Sequence, residues 1–156
     1  IDAGVLELKK NEVDVYTLLE LSVEELEQNI NLKNIQIELP NHNDVSFLGD
    51  MDWSMEAFIN IIKNCTEHTP ENGKISFDYS VNPLYTEITI SDNGTGFVKE
   101  DLKNIFKRFY QGRNSKDGLG IGLSIAKSII EMQNGFITAE NAKNGGAQFN
   151  IRFYRH

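Results

Sequence analysis

Apolar positions repeat at helical spacing in several parts of the chain. Phe58, Ile61, Ile62 and Cys65 follow one another at i, i+3, i+4 and i+7, a series that lines one face of a helix. We therefore predict a helix from Trp53 to about Thr66, with Asp52 as its N-cap. Further helices are predicted at Tyr16 to about Ile30, at Lys99 to Phe106, and at Ile121 to about Gln133.

Other segments alternate apolar and polar residues, as strands with one buried face do. The predicted strands are Glu12–Val15, Asn34–Pro40, Val45–Asp50, Lys74–Val81, Tyr85–Asp92, Phe136–Glu140 and Ala147–Tyr154. Helices combined with mostly antiparallel strands predict an α+β sandwich, in which the helices cover one face of a sheet. We expect residues 1–11, which are polar and irregular, to be the end of an upstream element and a linker, and the domain to occupy residues 12–156.

Composition narrows the classes of function. The 156 residues suffice for one domain with a proper core, and no run approaches the roughly 18 apolar residues of a membrane span. The net charge of −8 argues against nucleic-acid binding, which requires clustered Lys and Arg. The single cysteine, Cys65, excludes an internal disulfide. Such a chain can bind a polyanionic nucleotide only through local groups, such as backbone N–H groups, a helix N-terminus, a metal ion and a few cations.

Two asparagines mark a second face of the predicted helix. Asn60, Asn64 and Glu67 fall at i, i+4 and i+7, away from the apolar stripe. Carboxamides one turn apart can offer oxygen ligands to a hard cation such as Mg²⁺, or hydrogen bonds to phosphate. A solvated polar face explains the same pattern, and the helix alone leaves both interpretations open.

Two glycine-rich segments follow. In ISDNGTGF, Asp92 ends a strand and enters a turn with Gly94 and Gly96, which either is only a turn or lets a flat base approach while Asp92 accepts from its amine. In DGLGIGLS, Gly118, Gly120 and Gly122 lead into a helix, where unhindered N–H groups can form an anion-binding nest. No Gly-Lys-Ser/Thr follows, so this is not a Walker sequence.

The order of these segments is more specific than any one of them. Asn-x-x-x-Asn, Asp-x-Gly-x-Gly, Phe-x-x-Phe, Gly-x-Gly-x-Gly and Gly-Gly-x-x-Phe follow one another between Asn60 and Phe149. This series resembles the catalytic ATP-binding domain of bacterial two-component sensor histidine kinases. The resemblance implies a two-layer α/β sandwich with a mixed sheet and three main helices on one face, as in gyrase, MutL and related ATPases. It also implies ATP and Mg²⁺ as ligands.

The resemblance carries roles to matching positions. It implies that Asn64 is the magnesium ligand, that Asn60 positions the metal-bound phosphates, and that Asp92, Gly94 and Gly96 form the adenine pocket. It further implies that Phe106 and Phe109 anchor a lid loop over residues 111–117, with Arg108 or Lys107 reaching the phosphates. Packing is the ordinary role of both Phe, and we expect it here. The remaining implied nucleotide contacts are His68, Gly118, Leu119, Gly120, Ile121, Gly122 and Leu123.

Three departures qualify the resemblance. Many relatives carry Lys or Arg where Glu67 stands; Lys63, Arg113 or Lys116 can take over that contact, although surface solvation is their ordinary role. Gln148 occupies a position where a small hydroxyl residue is common, and we assign it no role. None of the three histidines, at positions 42, 68 and 156, lies in an acceptor motif.

The expected function is therefore to bind Mg-ATP and to donate its γ-phosphoryl group to a histidine on a separate dimerisation domain upstream. The expected partners are that domain, a response regulator, and ATP or ADP. We expect the intact protein to be a homodimer anchored in the bacterial inner membrane, and this cytoplasmic part to be monomeric. Two alternatives stay open at this point, a stand-alone anti-sigma-type serine kinase and a non-catalytic nucleotide-binding interaction module.

Overall fold

The structure is a computed structural model that describes residues 7–110 and 122–155. Helices and strands alternate irregularly along these residues, and none of the described helices is long and apolar enough to cross a bilayer. The elements are β1 (Asn11–Asp14), α1 (Val15–Glu25), α2 (Glu27–Leu32), β2 (Gln36–Glu38), β3 (Ser46–Gly49), α3 (Met51–His68), β4 (Lys74–Val81), β5 (Tyr85–Asp92), α4 (Lys99–Asn104), α5 (Gly122–Met132), β6 (Gly135–Asn141) and β7 (Ala147–Tyr154).

The larger sheet has the strand order β2-β4-β5-β7-β6. Its neighbours run antiparallel except β2, which pairs with β4 in parallel, so the sheet is mixed. Along β5, Thr86, Ile88 and Ile90 are buried, whereas the residues between them are only half-buried. This alternation gives the sheet one face that packs against the core and one polar face.

Three helices cover the buried face. Helix α3 contacts both α1 and α5, and its stripe of Phe58, Ile61, Ile62 and Cys65 is fully buried. The strands contribute Ile75, Ile90 and other residues to the same core. The predicted fold class, a two-layer sandwich of a mixed sheet and three main helices, is confirmed.

A second, two-stranded sheet adds to the expected one. Strand β3 pairs with β1 in antiparallel orientation and does not join the larger sheet. The Phe47 ring of β3 stacks on Phe153 of β7, with ring centroids 3.8 Å apart. The small sheet therefore packs against one end of the main core and leads directly into α3.

Several predicted boundaries differ from the structure. The first helix breaks at Leu26 into α1 and α2. The cap of α3 is Asp50, whose carboxylate accepts from the N–H of Trp53, so the prediction of Asp52 was wrong. Helix α3 also continues two residues past Thr66, to His68. That extension adds the last turn, on which one wall of the site described below depends.

Candidate functional site

Helix α3 places its polar face beside the start of α5. The Oδ1 atom of Asn64 is buried and has no hydrogen-bond partner in the described part of the chain. Asn60 lies one turn earlier, and a Cβ atom added to Gly122 would lie 3.3 Å from Asn60 Oδ1. A buried amide oxygen without a donor suits a cation, since leaving it unpaired costs free energy.

The last turn of α3 is fixed by a lysine from another element. The last carbonyls of a helix lack intrahelical partners. Here the Cys65 carbonyl accepts from the backbone N–H and the hydroxyl of Thr69. Lys33 Nζ donates to the carbonyls of Thr66 at 2.8 Å, Glu67 at 3.2 Å and Thr69 at 2.9 Å. These bonds hold the turn that carries His68.

Asp92 ends β5 with a carboxylate of which only one oxygen is paired. Its Oδ1 accepts from the N–H of Gly94 at 2.9 Å and from the N–H of Ala147 at 3.1 Å. Its Oδ2 is buried and has no partner among the described residues. Burial raises the pKa of Asp92, and the two N–H donors and nearby His68 partly offset that rise. One oxygen therefore fixes the side chain, and the other is available to a donor.

Glycines let the backbone pack closely around this carboxylate. A Cβ atom at Gly94 would lie 2.3 Å from the carbonyl oxygen of His68, and one at Gly146 would lie 1.9 Å from the carbonyl oxygen of Asp92. Gly96 has φ +78°, a conformation that suits glycine. No larger residue fits at these positions without backbone movement.

A row of rings borders the site. His68 contacts Phe97 edge to face with centroids 5.9 Å apart, and Phe97 contacts Phe149 in the same way at 5.9 Å. Phe106 contacts Phe149 from the other side at 6.3 Å. Burial is the main cause of a lowered pKa at His68, which favours its neutral form. The row joins the end of α3 to the region where the predicted lid begins.

The two phenylalanines beside the predicted lid differ in burial. Phe106 packs against the core as predicted, but Phe109 is 61% exposed with φ +68°, so the prediction that it packs was wrong. The guanidinium of Arg108 lies 4.9 Å from the Phe109 ring centroid instead. Leu123 is buried in α5. The predicted contacts at Gly118, Leu119, Gly120 and Ile121, and the predicted lid at 111–117, lie outside the described residues.

The donor and acceptor inventory indicates what this site can hold. The described residues contain no cluster of three His, Cys, Asp or Glu side chains suited to a metal. A cation here would rest on the Asn64 oxygen together with ligand phosphates and water, which is the usual pattern for Mg²⁺. The free Asp92 oxygen suits an amine donor. The residues present therefore fit an amine-bearing base at one end and metal-bound phosphates at the other.

Sequence reasoning missed four residues that shape the site. They are Lys33, Gly146, Ala147 and Asn141, whose side chain makes two hydrogen bonds to the backbone of Phe97. The Gly-Gly pair of NGGAQF was visible, but nothing local indicated that it packs on Asp92, 54 residues away in the chain. Gln148, to which no role was assigned, donates to Asn150 on the polar face of the sheet.

The region that contains the site matches a known protein family. Residues 49–155 match the family described as histidine kinase-, DNA gyrase B- and HSP90-like ATPase, a range that begins just before α3 and includes every site residue named above except Lys33. The chain is 31% identical over 156 residues to the sensor histidine kinase SpaK of Bacillus subtilis, covering 97% of this chain and 33% of SpaK. It is 26% identical over 154 residues to the signal transduction histidine-protein kinase BaeS of Escherichia coli, covering 96% and 33%. The chain thus spans about a third of these relatives.

Solved structures agree on the fold. The nucleotide-free catalytic domain of histidine kinase ThkA superposes with a TM-score of 0.80 at 26% identity, covering 96% of this chain and 98% of that domain. Full-length ShkA in complex with AMPPNP gives a TM-score of 0.78 at 23% identity, covering 96% of this chain and 32% of ShkA.

Proposed function

The chain belongs to the family of histidine kinase-, DNA gyrase B- and HSP90-like ATPases, and we propose that it binds Mg-ATP and donates the γ-phosphoryl group to a histidine on a separate dimerisation domain. The observation that carries this proposal is a pair of buried oxygens, Asn64 Oδ1 and Asp92 Oδ2, that have no partner among residues 7–110 and 122–155. A nucleotide with bound Mg²⁺ supplies a partner to each, because its base carries an amine and its phosphates carry a cation.

At the base end, Asp92 is the acceptor for the exocyclic amine of adenine. The carboxylate is held by Gly94 and Ala147, so its free oxygen is oriented before the ligand arrives. Gly94 lies against the His68 carbonyl, where a Cβ atom would come within 2.3 Å of that oxygen, so the glycine lets the loop pack on the end of α3 beside Asp92. The neutral form of His68, which burial favours, places an uncharged ring beside the pocket.

At the phosphate end, Asn64 is the ligand for Mg²⁺, which neutralises phosphate charge when it is bound. Asn60 orients the phosphates from one turn away, and its position beside Gly122 places it at the start of α5, where a helix N-terminus favours anions. Gly118, Leu119, Gly120, Ile121 and Leu123 are proposed to complete the phosphate cradle, and Phe106, Arg108 and Phe109 to border the lid.

The chemistry of Asn60 separates transfer from hydrolysis. An amide cannot accept the proton of an attacking water at neutral pH, so we expect steady ATP hydrolysis to be negligible.

We propose that the phosphoryl acceptor is a histidine of an upstream dimerisation domain, reached through a linker at residues 1–11, and that a response regulator receives the group from it. The intact protein is proposed to be a homodimer anchored in the bacterial inner membrane, with this domain monomeric and on the cytoplasmic side.

Calorimetric titration of ADP and a non-hydrolysable ATP analogue, with and without Mg²⁺, tests the binding part. We expect Mg²⁺ to strengthen binding to the wild-type chain, and Asn64→Ala to remove that gain because its amide oxygen is the proposed ligand. Asn31→Ala, the same substitution on the exposed face of α2, is the matched control and should bind as the wild type does. Unchanged magnesium dependence in Asn64→Ala would refute the assignment.

The transfer part is tested by incubation with radiolabelled ATP, alone and with an isolated dimerisation domain. We expect no stable phosphohistidine on this chain alone and label on the added domain. Phosphohistidine on this chain itself, or stoichiometric binding without transfer to any dimerisation domain supplied from a matching kinase, would instead support a different role.

A further inference from the structure

The β6–β7 hairpin is bonded to the loop that follows Asp92 through one side chain. Asn141, at the end of β6, makes two hydrogen bonds to the backbone of Phe97. Its Oδ1 accepts from the Phe97 N–H at 2.7 Å, and its Nδ2 donates to the Phe97 carbonyl at 2.9 Å. A carboxamide paired in this way with one residue reproduces the two-bond pairing between residues of neighbouring strands. The loop is therefore joined to the hairpin without being part of the sheet.

The pair of hydrogen bonds between Asn141 and Phe97, here called the clasp, holds one side of the loop. The opposite side of the loop packs against the end of α3. Gly94 is held against the carbonyl of His68, whereas Gly96 is held against the hairpin, where an added Cβ would meet the Gly145 carbonyl at 2.4 Å and Asn141 Oδ1 at 2.7 Å. The segment between the two glycines thus lies between the end of α3 and the β6–β7 turn. Its position depends on both walls.

The consequence reaches the proposed adenine pocket through the backbone and through a ring. Asp92 Oδ1 accepts from Gly94 within the loop and from Ala147 after the turn, so the loop and the turn jointly orient the free Oδ2. The Phe97 ring, held by the clasp, lies against His68. Movement of the loop away from the turn would displace both the acceptor and the ring wall.

We propose that Asn141 is a positioning residue for base recognition, which acts through the backbone of Phe97 to hold the Gly94–Phe97 loop where the free oxygen of Asp92 selects an amine-bearing purine. This inference rests on the proposed function. The new element is that the discrimination between a 6-amino and a 6-oxo purine is assigned to a residue that does not itself touch the base.

The substitution Asn141→Asp tests this assignment with almost no change of shape. The aspartate can still accept from the Phe97 N–H, but it has no donor for the Phe97 carbonyl and brings an oxygen against it. Asn144→Asp is a matched control in the same turn, because Asn144 Oδ1 accepts from the Gly146 N–H and, among the described residues, its Nδ2 has no acceptor. Both substitutions add one negative charge near the same place, and only Asn141→Asp removes a donor in use.

The readout is the ratio of affinities for ATP and inosine triphosphate, which carries an oxo group where adenine carries its amine. We expect the wild type and Asn144→Asp to prefer ATP by about tenfold or more, because the oxo group leaves Asp92 facing an acceptor. Asn141→Asp should reduce that preference by about three- to tenfold, toward the lower end because Asn141 is exposed to competing water. A ratio is insensitive to the fraction of folded protein, since unfolding scales both affinities equally.

The outcomes separate this inference from the proposed function. Failure of the wild type to bind ATP, or to prefer it over inosine triphosphate, refutes the proposed adenine site itself. If the wild type discriminates, an unchanged ratio in Asn141→Asp overturns the positioning role, as does an equal loss of affinity for both nucleotides. Equal effects in Asn141→Asp and Asn144→Asp assign the change to charge and also overturn it.

Discussion

Replacement of Asp92 by asparagine is the most direct test of how the site divides one carboxylate between two tasks. Oδ1 accepts from Gly94 and Ala147, and Oδ2 is buried with no partner in the part of the chain that the structure describes. Asparagine has the same shape, but only one of its two terminal atoms can accept. The single oxygen of the asparagine can therefore accept either from the N–H groups of Gly94 and Ala147 or from the ligand, but not from both.

Each choice has a cost that follows from the geometry. With its oxygen toward the two N–H groups, the substituted side chain presents an NH₂ group to the incoming amine, so two donors meet. With its oxygen toward the ligand, the NH₂ group faces the N–H groups of Gly94 and Ala147. Loss of a hydrogen bond to a charged acceptor is worth about 1.5–3 kcal/mol, which corresponds to an affinity for ADP that is about 10- to 150-fold lower.

Stability should respond in the opposite sense. Burial raises the pKa of Asp92 above its ordinary value of 3.8, so the folded state holds the proton more tightly than the unfolded state does. The ionised carboxylate therefore opposes folding at neutral pH, and this penalty disappears as the pH falls through the folded pKa toward 3.8. The neutral amide of Asp92→Asn removes the penalty at pH 7, and we expect the free energy of unfolding without nucleotide to be equal or higher.

Calorimetry of ADP binding at pH 7 and urea unfolding of the nucleotide-free protein measure the two effects. Asp78→Asn, on the exposed polar face of β4, is the matched control and should change neither. An ADP affinity within threefold of wild type in Asp92→Asn would refute the role of Oδ2. A loss of affinity that accompanies a large loss of stability would show instead that the carboxylate is chiefly structural.

Two further predictions concern the walls of the site. Gly146→Ala should lower the free energy of unfolding by more than about 2 kcal/mol, because its Cβ would lie 1.9 Å from the Asp92 carbonyl oxygen, whereas Gly145→Ala has open space and only a φ of +92° to accommodate, at about 1 kcal/mol. Equal losses in urea unfolding would contradict this. Lys33→Met should lower the free energy of unfolding by about 1.5–3 kcal/mol, because three carbonyl oxygens at the end of α3 lose a charged donor. Lys33→Arg should retain most of it, and wild-type stability in Lys33→Met would refute the cap.

The parts of the fold that could be predicted are those set by local periodicity. The apolar series from Phe58 to Cys65 identified α3, and alternation predicted β4, β5 and β7 with the bounds that the structure has. Local signals failed where two similar residues compete. Asp50 and Asp52 are equally good caps by type, and Asp50 prevails because β3 ends beside it and Gln133 accepts from its N–H.

The contacts that shape the site are long-range, which is why sequence spacing did not predict them. Asn141 and Phe97 are 44 residues apart, Ala147 and Asp92 are 55 apart, and Lys33 reaches carbonyls 33 to 36 residues away. The prediction that Phe109 packs also failed, because the residue type alone does not fix the direction of a side chain. Its apolar character predicted packing, but the exposed backbone turn at φ +68° directs it away from the core.

A short Gly-rich turn becomes a recognition site only through these long-range contacts. The segment DNGTGF by itself supplies Asp92 with a local N–H partner at Gly94, and that bond alone would allow the carboxylate to rotate. The second donor comes from Ala147, and the clasp from Asn141 fixes the far end of the same turn. With Oδ1 occupied from both sides, rotation would break two bonds, so Oδ2 stays oriented although it lacks a partner among the described residues. An acceptor held in this way loses little entropy when a donor arrives, and this preorganisation is what distinguishes the site from an ordinary turn of the same sequence.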